Sequence, residues 1–210
     1  MIELTEIKKN YGSHLVLDIP RYKFENGIYW LKGENGSGKT TLMKLIAGLI
    51  PFEGEVILNK NISILKNRID YLRKVNYTEA EPLYPSFVTG DELIQLFIWT
   101  KDGDFADTKN LMQQLKVDTY SHQPIGTYSS GMNKKLSLIL AFIGKPDLIL
   151  LDEPLVTIDT ASVETVYSII HEFAYEKKVS FIITSHHDFD YAKISFTGTV
   201  TVQDKMIHAV

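Results

Sequence analysis

The chain has 210 residues, 44% of them hydrophobic, which is enough to bury one sizeable core and sits at the upper end of single-domain lengths. A formal charge of -4 supplies no global positive field to draw it toward nucleic acid or an anionic membrane surface, and the lack of cysteine excludes disulfides and thiolate metal sites. The opening MIELTEIKKNYG has no apolar centre of a secretion signal, and no apolar run approaches the roughly 20 residues of a membrane-spanning helix, so work at a membrane calls for a spanning partner.

In chain order, apolar alternation predicts strands over residues 2–7, 15–19 and 28–31. A Gly-rich loop follows, then a helix over 39–47 that Gly48 and Pro51 end. Further strands are expected at 54–58 and 74–78, while 88–99, 106–115 and 130–142 carry the apolar spacing of amphipathic helices. Residues 147–151 are too few for a helix and read as a central parallel strand. A helix over 160–176 and a buried strand over 179–184 complete a strand, helix, strand unit, and 199–208 reads as a closing hairpin. This alternation predicts an α/β sheet with helices on its faces, in a single domain over residues 1–210.

Gly33-Glu34-Asn35-Gly36-Ser37-Gly38-Lys39-Thr40 fits GxxxxGK followed by Ser or Thr, between a predicted strand and a predicted helix, as a nucleotide phosphate loop requires. The glycines let consecutive N–H groups, those of Asn35 and Ser37 included, turn inward on phosphate oxygens, and the helix start adds its partial positive charge. Lys39 is expected to reach the β- and γ-phosphates, the Thr40 hydroxyl to ligate Mg²⁺, and Thr41 to add a phosphate contact.

Leu148-Ile149-Leu150-Leu151-Asp152-Glu153 ends an apolar strand in two carboxylates, at the strand end where α/β sheets bind ligands. Asp152 is expected to hold Mg²⁺, and Glu153, pointing the other way by strand alternation, to polarise the attacking water. Adjacent carboxylates resist joint burial without a cation, and Mg²⁺ supplies one.

About twenty residues ahead of Asp152, Tyr128-Ser129-Ser130-Gly131-Met132-Asn133-Lys134-Lys135-Leu136 resembles the LSGGQ signature of ABC (ATP-binding cassette) proteins in degenerate form. Ser129 suits an N-cap, and the N–H groups behind it form an anion site. The resemblance implies that Ser129 and Gly131 bind the γ-phosphate held by the opposite monomer of a head-to-tail dimer. Tyr11 resembles the aromatic that stacks on adenine, and Asp159 in Thr157-Ile158-Asp159 the D-loop aspartate that links monomers. His186, with His187 as the alternative, resembles the switch histidine that senses the γ-phosphate.

The resemblance covers nearly the whole chain and implies a P-loop NTPase: an ABC-type ATPase core with an antiparallel β subdomain and a small helical subdomain inserted at roughly residues 84–145. It implies ATP and Mg²⁺ as ligands, with Lys39, Glu153 and His186 in catalysis. It also implies a homodimer or heterodimer in the cytoplasm, held at the inner face of the cell membrane by membrane-spanning transporter subunits, with no nucleic acid partner. The Ser-Gly-Met signature is similar to those of ABC-2-type exporters. A soluble ABC protein of repair or translation is the alternative, but only about ninety residues separate Lys39 from Ser129, without heptads, and there is one cassette. A weakly hydrolysing regulator is the third reading.

Two departures matter. Ser130 and Met132 stand where the signature has a glycine and a polar residue, which predicts slow turnover, and Ala80 stands where the family's Q-loop has a glutamine. A methyl cannot ligate Mg²⁺, so either Glu79 or Glu81 takes part of that role or coupling is weak. Ala80→Gln is expected to change basal and transporter-stimulated ATP hydrolysis in a phosphate-release assay; unchanged rates would make the missing amide irrelevant.

Overall fold

Alternating apolar residues at the amino end build a long hairpin, β1 (Ile2–Tyr11) and β2 (His14–Phe24), with Ile2 opposite Phe24 and Tyr11 opposite His14. The computed structural model describes residues 1–185, 189–190 and 193–210. β2 runs past the expected residue 19 because it lies at the sheet edge, where Pro20, which has no N–H to give, is tolerated. Facing that proline, Glu6 leaves the ladder with φ 53. Gly54 accommodates the bulge, since a Cβ there would stand 2.4 Å from the Glu6 carbonyl oxygen. β3 (Ile28–Lys32) leads into α1 (Lys39–Ile46), and β4 (Glu53–Leu58) and β5 (Ile62–Ser63) then complete an antiparallel sheet in the order β2-β1-β4-β5.

β5 and α2 (Arg68–Lys74) have no counterpart among the sequence expectations; two residues of strand and two turns of helix are too short to show a period. After β6 (Val75–Thr78) come α3 (Gly90–Lys101), α4 (Phe105–Gln114) and α5 (Ser130–Phe142). α3 begins two residues later than the apolar spacing implies because Thr89 and Glu92 form a capping box at its start. β7 (Leu148–Leu151) precedes α6 (Thr160–His171), which gives way to a π-helical turn, Glu172–Glu176, that packs Phe173 edge-on to Phe142 at 4.8 Å.

β8 (Ser180–Thr184) and the hairpin of β9 (Gly198–Gln203) and β10 (Met206–Ala209) complete a second sheet, ordered β10-β9-β3-β8-β7-β6 and parallel except for that hairpin. Every residue of β7 and β8 is buried, as strands covered on both faces must be. Strand alternation splits the core: Ile149 and Leu151 join Trp30 and Phe181 under α5 and α6, whereas Leu148 and Leu150 join Leu31 and Ile182 under α1 and the antiparallel sheet.

The helix that follows the Gly-rich loop is anchored at its far end. Tyr71, fully buried on α2, donates its hydroxyl to the Ile46 carbonyl at 2.7 Å, one of the acceptors left over where α1 stops. Tyr71→Phe is expected to lower unfolding free energy by about 1–2 kcal/mol and Tyr71→Ala by about 3–5 kcal/mol in urea titrations.

Candidate active site

Parallel pairing turns the carboxyl ends of β3, β6, β7 and β8 toward one edge of the sheet. The loop after β3 is tight: Ser37 N–H donates to the Glu34 carbonyl at 3.1 Å, and a Cβ at Gly33 would lie 2.6 Å from Ser37 Oγ. Gly38, at φ 107, is the N-cap of α1 and offers no side-chain acceptor, so the first N–H groups of the helix keep their capacity to bind an anion. Ser37 Oγ is buried without a hydrogen-bond partner among the described residues. Lys39 is 8% exposed, and its ammonium donates back to the Gly33 carbonyl at 2.8 Å and the Glu34 carbonyl at 3.0 Å. Free N–H groups, an orphaned hydroxyl and a caged ammonium together fit a polyphosphate.

Asp152 and Glu153 are 2% and 7% exposed. Both line a cleft of about 430 Å³ together with Asn35, Gly36, Gly38, Lys39, Thr40 and Thr41. β7 stops at Leu151, so strand geometry no longer governs, and Glu153 has φ 49, in the left-handed region where a non-glycine residue is strained. Thr184 at the end of β8 ties the pair together. Its hydroxyl donates to Asp152 Oδ1 at 2.6 Å and accepts from the Glu153 N–H at 3.0 Å. The Tyr77 hydroxyl donates to Asp152 Oδ2 at 3.4 Å; burial, then the charge of Asp152, raises its pKa and keeps it a donor.

No group of three or more His, Cys, Asp or Glu side chains among the described residues could hold a metal ion. Thr40, at the start of α1, and Asp152, just past β7, are both in the cleft lining and offer a hydroxyl and a carboxylate. That donor set suits Mg²⁺, which takes one or two protein ligands and fills its shell with phosphate and water.

Ala80 also lines the cleft, while the Glu79 carboxylate is drawn toward Lys44 on α1 at 3.4 Å. The mouth carries His14 and Val16; Tyr11 is 51% exposed at the end of β1 and is not part of the lining, with the Lys9 ammonium 4.6 Å from its ring centre. Ser129, Gly131 and Asp159 lie elsewhere. Ser129 caps α5, accepting from the Met132 N–H at 3.2 Å, and Gly131 is packed so closely that a Cβ would meet the Thr157 carbonyl oxygen at 2.7 Å. Asp159 caps α6 through Ser162 and pairs with Lys135 of α5 at 2.6 Å, and the Lys135 hydrogen bond is the main cause of its lowered pKa. His186 and His187 lie outside the described residues.

Sequence reasoning missed Thr184, Tyr77 and Lys134 as site residues. Thr184 carried a weak signal, a polar residue closing an apolar strand; Tyr77 and Lys134 carried none, because their partners are distant in sequence.

Comparison with known proteins agrees with this geometry. The ABC transporter family profile matches residues 21–156. The chain is 34% identical over 199 residues to the uncharacterized ABC transporter ATP-binding protein YybJ of Bacillus subtilis, covering 90% of this chain and 87% of that one. It is 31% identical over 198 residues to the cytochrome c biogenesis ATP-binding export protein CcmA of Legionella pneumophila, covering 93% and 98%. The bacitracin transport ATP-binding protein BcrA of Bacillus licheniformis is 29% identical over 192 residues, covering 89% of this chain and 61% of that one. A solved ATP-binding subunit of an ABC transporter superposes with a TM-score of 0.85 at 19% identity over 100% of this chain and 90% of that one, a likeness of fold. The chain therefore belongs to the ABC transporter family as an ATP-binding subunit, and it is an ATPase.

Proposed function

We propose that the chain is the motor subunit of a membrane exporter, in which two cassettes close on two ATP molecules and hydrolysis reopens them. The observation that carries this reading is the meeting of the Lys39 loop with Asp152 and Glu153 in one cleft. Phosphates would rest on the N–H groups from Gly33 to Thr41, with Lys39 transferring from its own loop carbonyls to the β- and γ-oxygens. Thr40 and Asp152 would hold Mg²⁺, which when bound neutralises phosphate charge. Glu153 orients the attacking water and takes its proton, so that catalysis rests on positioning and charge neutralisation.

In the same reading, Ser129 and Gly131 at the start of a second copy's α5 close over the γ-phosphate, with Asp159 at that seam. His186 senses the phosphate, and Tyr11 stacks on adenine beside His14 and Val16. Residues 84–145 form the inserted helical lobe.

A larger cleft of about 550 Å³ lies away from the phosphate loop, between α2, α3 and β6, and is walled by Leu49, Ile69, Leu72 and Phe97. Leu49 and Ile69 are 56% and 71% exposed. No helix among the described residues is long and apolar enough to cross a membrane. An amphipathic cytoplasmic helix of a membrane-spanning subunit suits this groove, apolar on its floor and bordered by Arg73 and Lys101, and would place the cassette at the inner face of the cell membrane. Export is favoured by the name of the Legionella relative. Ala80 in the cleft lining favours a second reading, a regulator that binds ATP and barely hydrolyses it.

Two variants test these readings. Glu153→Gln is expected to cut phosphate release by about a hundredfold or more and to let ATP trap a dimer that the parent resolves, seen by size-exclusion chromatography. Identical ATP-bound dimers with no phosphate release from either protein would favour the regulator. Thr184→Val keeps the shape but removes both hydrogen bonds, and is expected to lower kcat by about tenfold or more while nucleotide affinity stays within about threefold.

A further inference from the structure

Lys134, in the second turn of α5, has no solvent exposure at all. An ammonium in that position is costly unless all its donors are used, and here they are. Nζ donates to the carbonyls of Glu79 at 2.7 Å, Ala80 at 3.2 Å and Asp152 at 2.8 Å. All three acceptors are backbone, and all belong to segments bordering the cleft that holds Ala80, Asp152 and Glu153.

The Asp152 carbonyl and the Glu153 N–H belong to one peptide group. Lys134 holds its oxygen at 2.8 Å and Thr184 Oγ1 holds its nitrogen at 3.0 Å, so the plane is gripped from both ends. The residue that follows, Glu153, sits at φ 49, a conformation that persists only where the surroundings over-determine it. The same ammonium fixes the Glu79–Ala80 segment, where a glutamine side chain is missing, and it rides on the helix that Ser129 caps.

We propose that Lys134 is a positioning residue for ATP hydrolysis: by clamping the Asp152–Glu153 peptide against Thr184 it fixes where the Glu153 carboxylate points, and it ties that orientation to α5. The inference rests on Glu153 acting as the base. Burial lowers the Lys134 pKa to about 8, opposed by the charges of Asp152, Glu153 and Glu79, so the group remains mostly an ammonium at neutral pH.

The experiment is a double-mutant cycle on the full chain, with hydrolysis followed in single-turnover assays and nucleotide affinity by equilibrium binding of a fluorescent ADP analogue. Lys134→Met is expected to lower the hydrolysis rate by about tenfold or more with affinity within about threefold, and Lys134→Arg to recover most of that rate. In the Glu153→Gln background, Lys134→Met is expected to add little, because it acts through Glu153. Should the Met variant fail to fold, Lys134→Gln, which keeps two N–H donors, is read by the same criteria with a smaller loss. An unchanged rate, a parallel loss of rate and affinity without rescue by arginine, or full additivity with Glu153→Gln overturns the proposal alone. Parental turnover in Glu153→Gln by itself overturns the base assignment and this inference with it.

Discussion

The site depends on one topological constraint: β8 lies between β3 and β7. Leu31 is registered with Thr184 and Leu151 with Ile183, so the loop after β3 and the carboxylates after β7 emerge level with each other, separated by two strand spacings of roughly 9–10 Å. Were β3 and β7 adjacent, the Lys39 loop and Asp152 would stand one spacing apart, with less room for a phosphate chain between them. The intervening strand is not idle. It ends in Thr184, whose hydroxyl holds Asp152 and the Glu153 N–H.

What could be read before folding follows from how local each feature is. The phosphate loop and the acidic pair are written in consecutive residues, so their place at strand ends was legible. The buried strands β7 and β8 were legible as apolar runs too short for helices. By contrast, β2 hid its second half behind Pro20 and the charged residues 21 and 23, because edge exposure, which tolerates them, is a property of the sheet. The backbone at Glu153 was not legible, because it lies two residues past the strand's end, in a turn with left-handed backbone that alternation does not describe. Lys134 was invisible as a site residue. A lysine on a helix ordinarily reads as a solvated face, and only the tertiary fold brings three carbonyls to it.

The same physical device recurs at the other cleft. Lys101, at the end of α3, donates to the Val75 carbonyl at 3.1 Å and to that of Leu72, and burial lowers its pKa to about 8, as it does for Lys134. Each ammonium loses hydration on burial and recovers part of that loss through charge-assisted bonds to carbonyls that would otherwise lack strong donors. An apolar residue would relieve the desolvation but strand those carbonyls, so neither position is a simple choice between charge and packing.

The two clasps differ in what they join. Lys134 binds α5 to the loops beside the phosphates, whereas Lys101 binds α3 to α2 and the start of β6, along the wall of the apolar groove. β6 runs between them: its first residue, Val75, gives its carbonyl to Lys101, and the residues just after its end, Glu79 and Ala80, give theirs to Lys134. α3 at the groove is thereby joined, through a short, hydrogen-bonded strand, to the segment that Lys134 shares with the Asp152–Glu153 peptide. That path runs through backbone carbonyls and two ammonium groups, and it contains no step that needs the side chain of residue 80. The absence of a glutamine at Ala80 removes a direct ligand to the cleft while leaving these backbone hydrogen bonds in place.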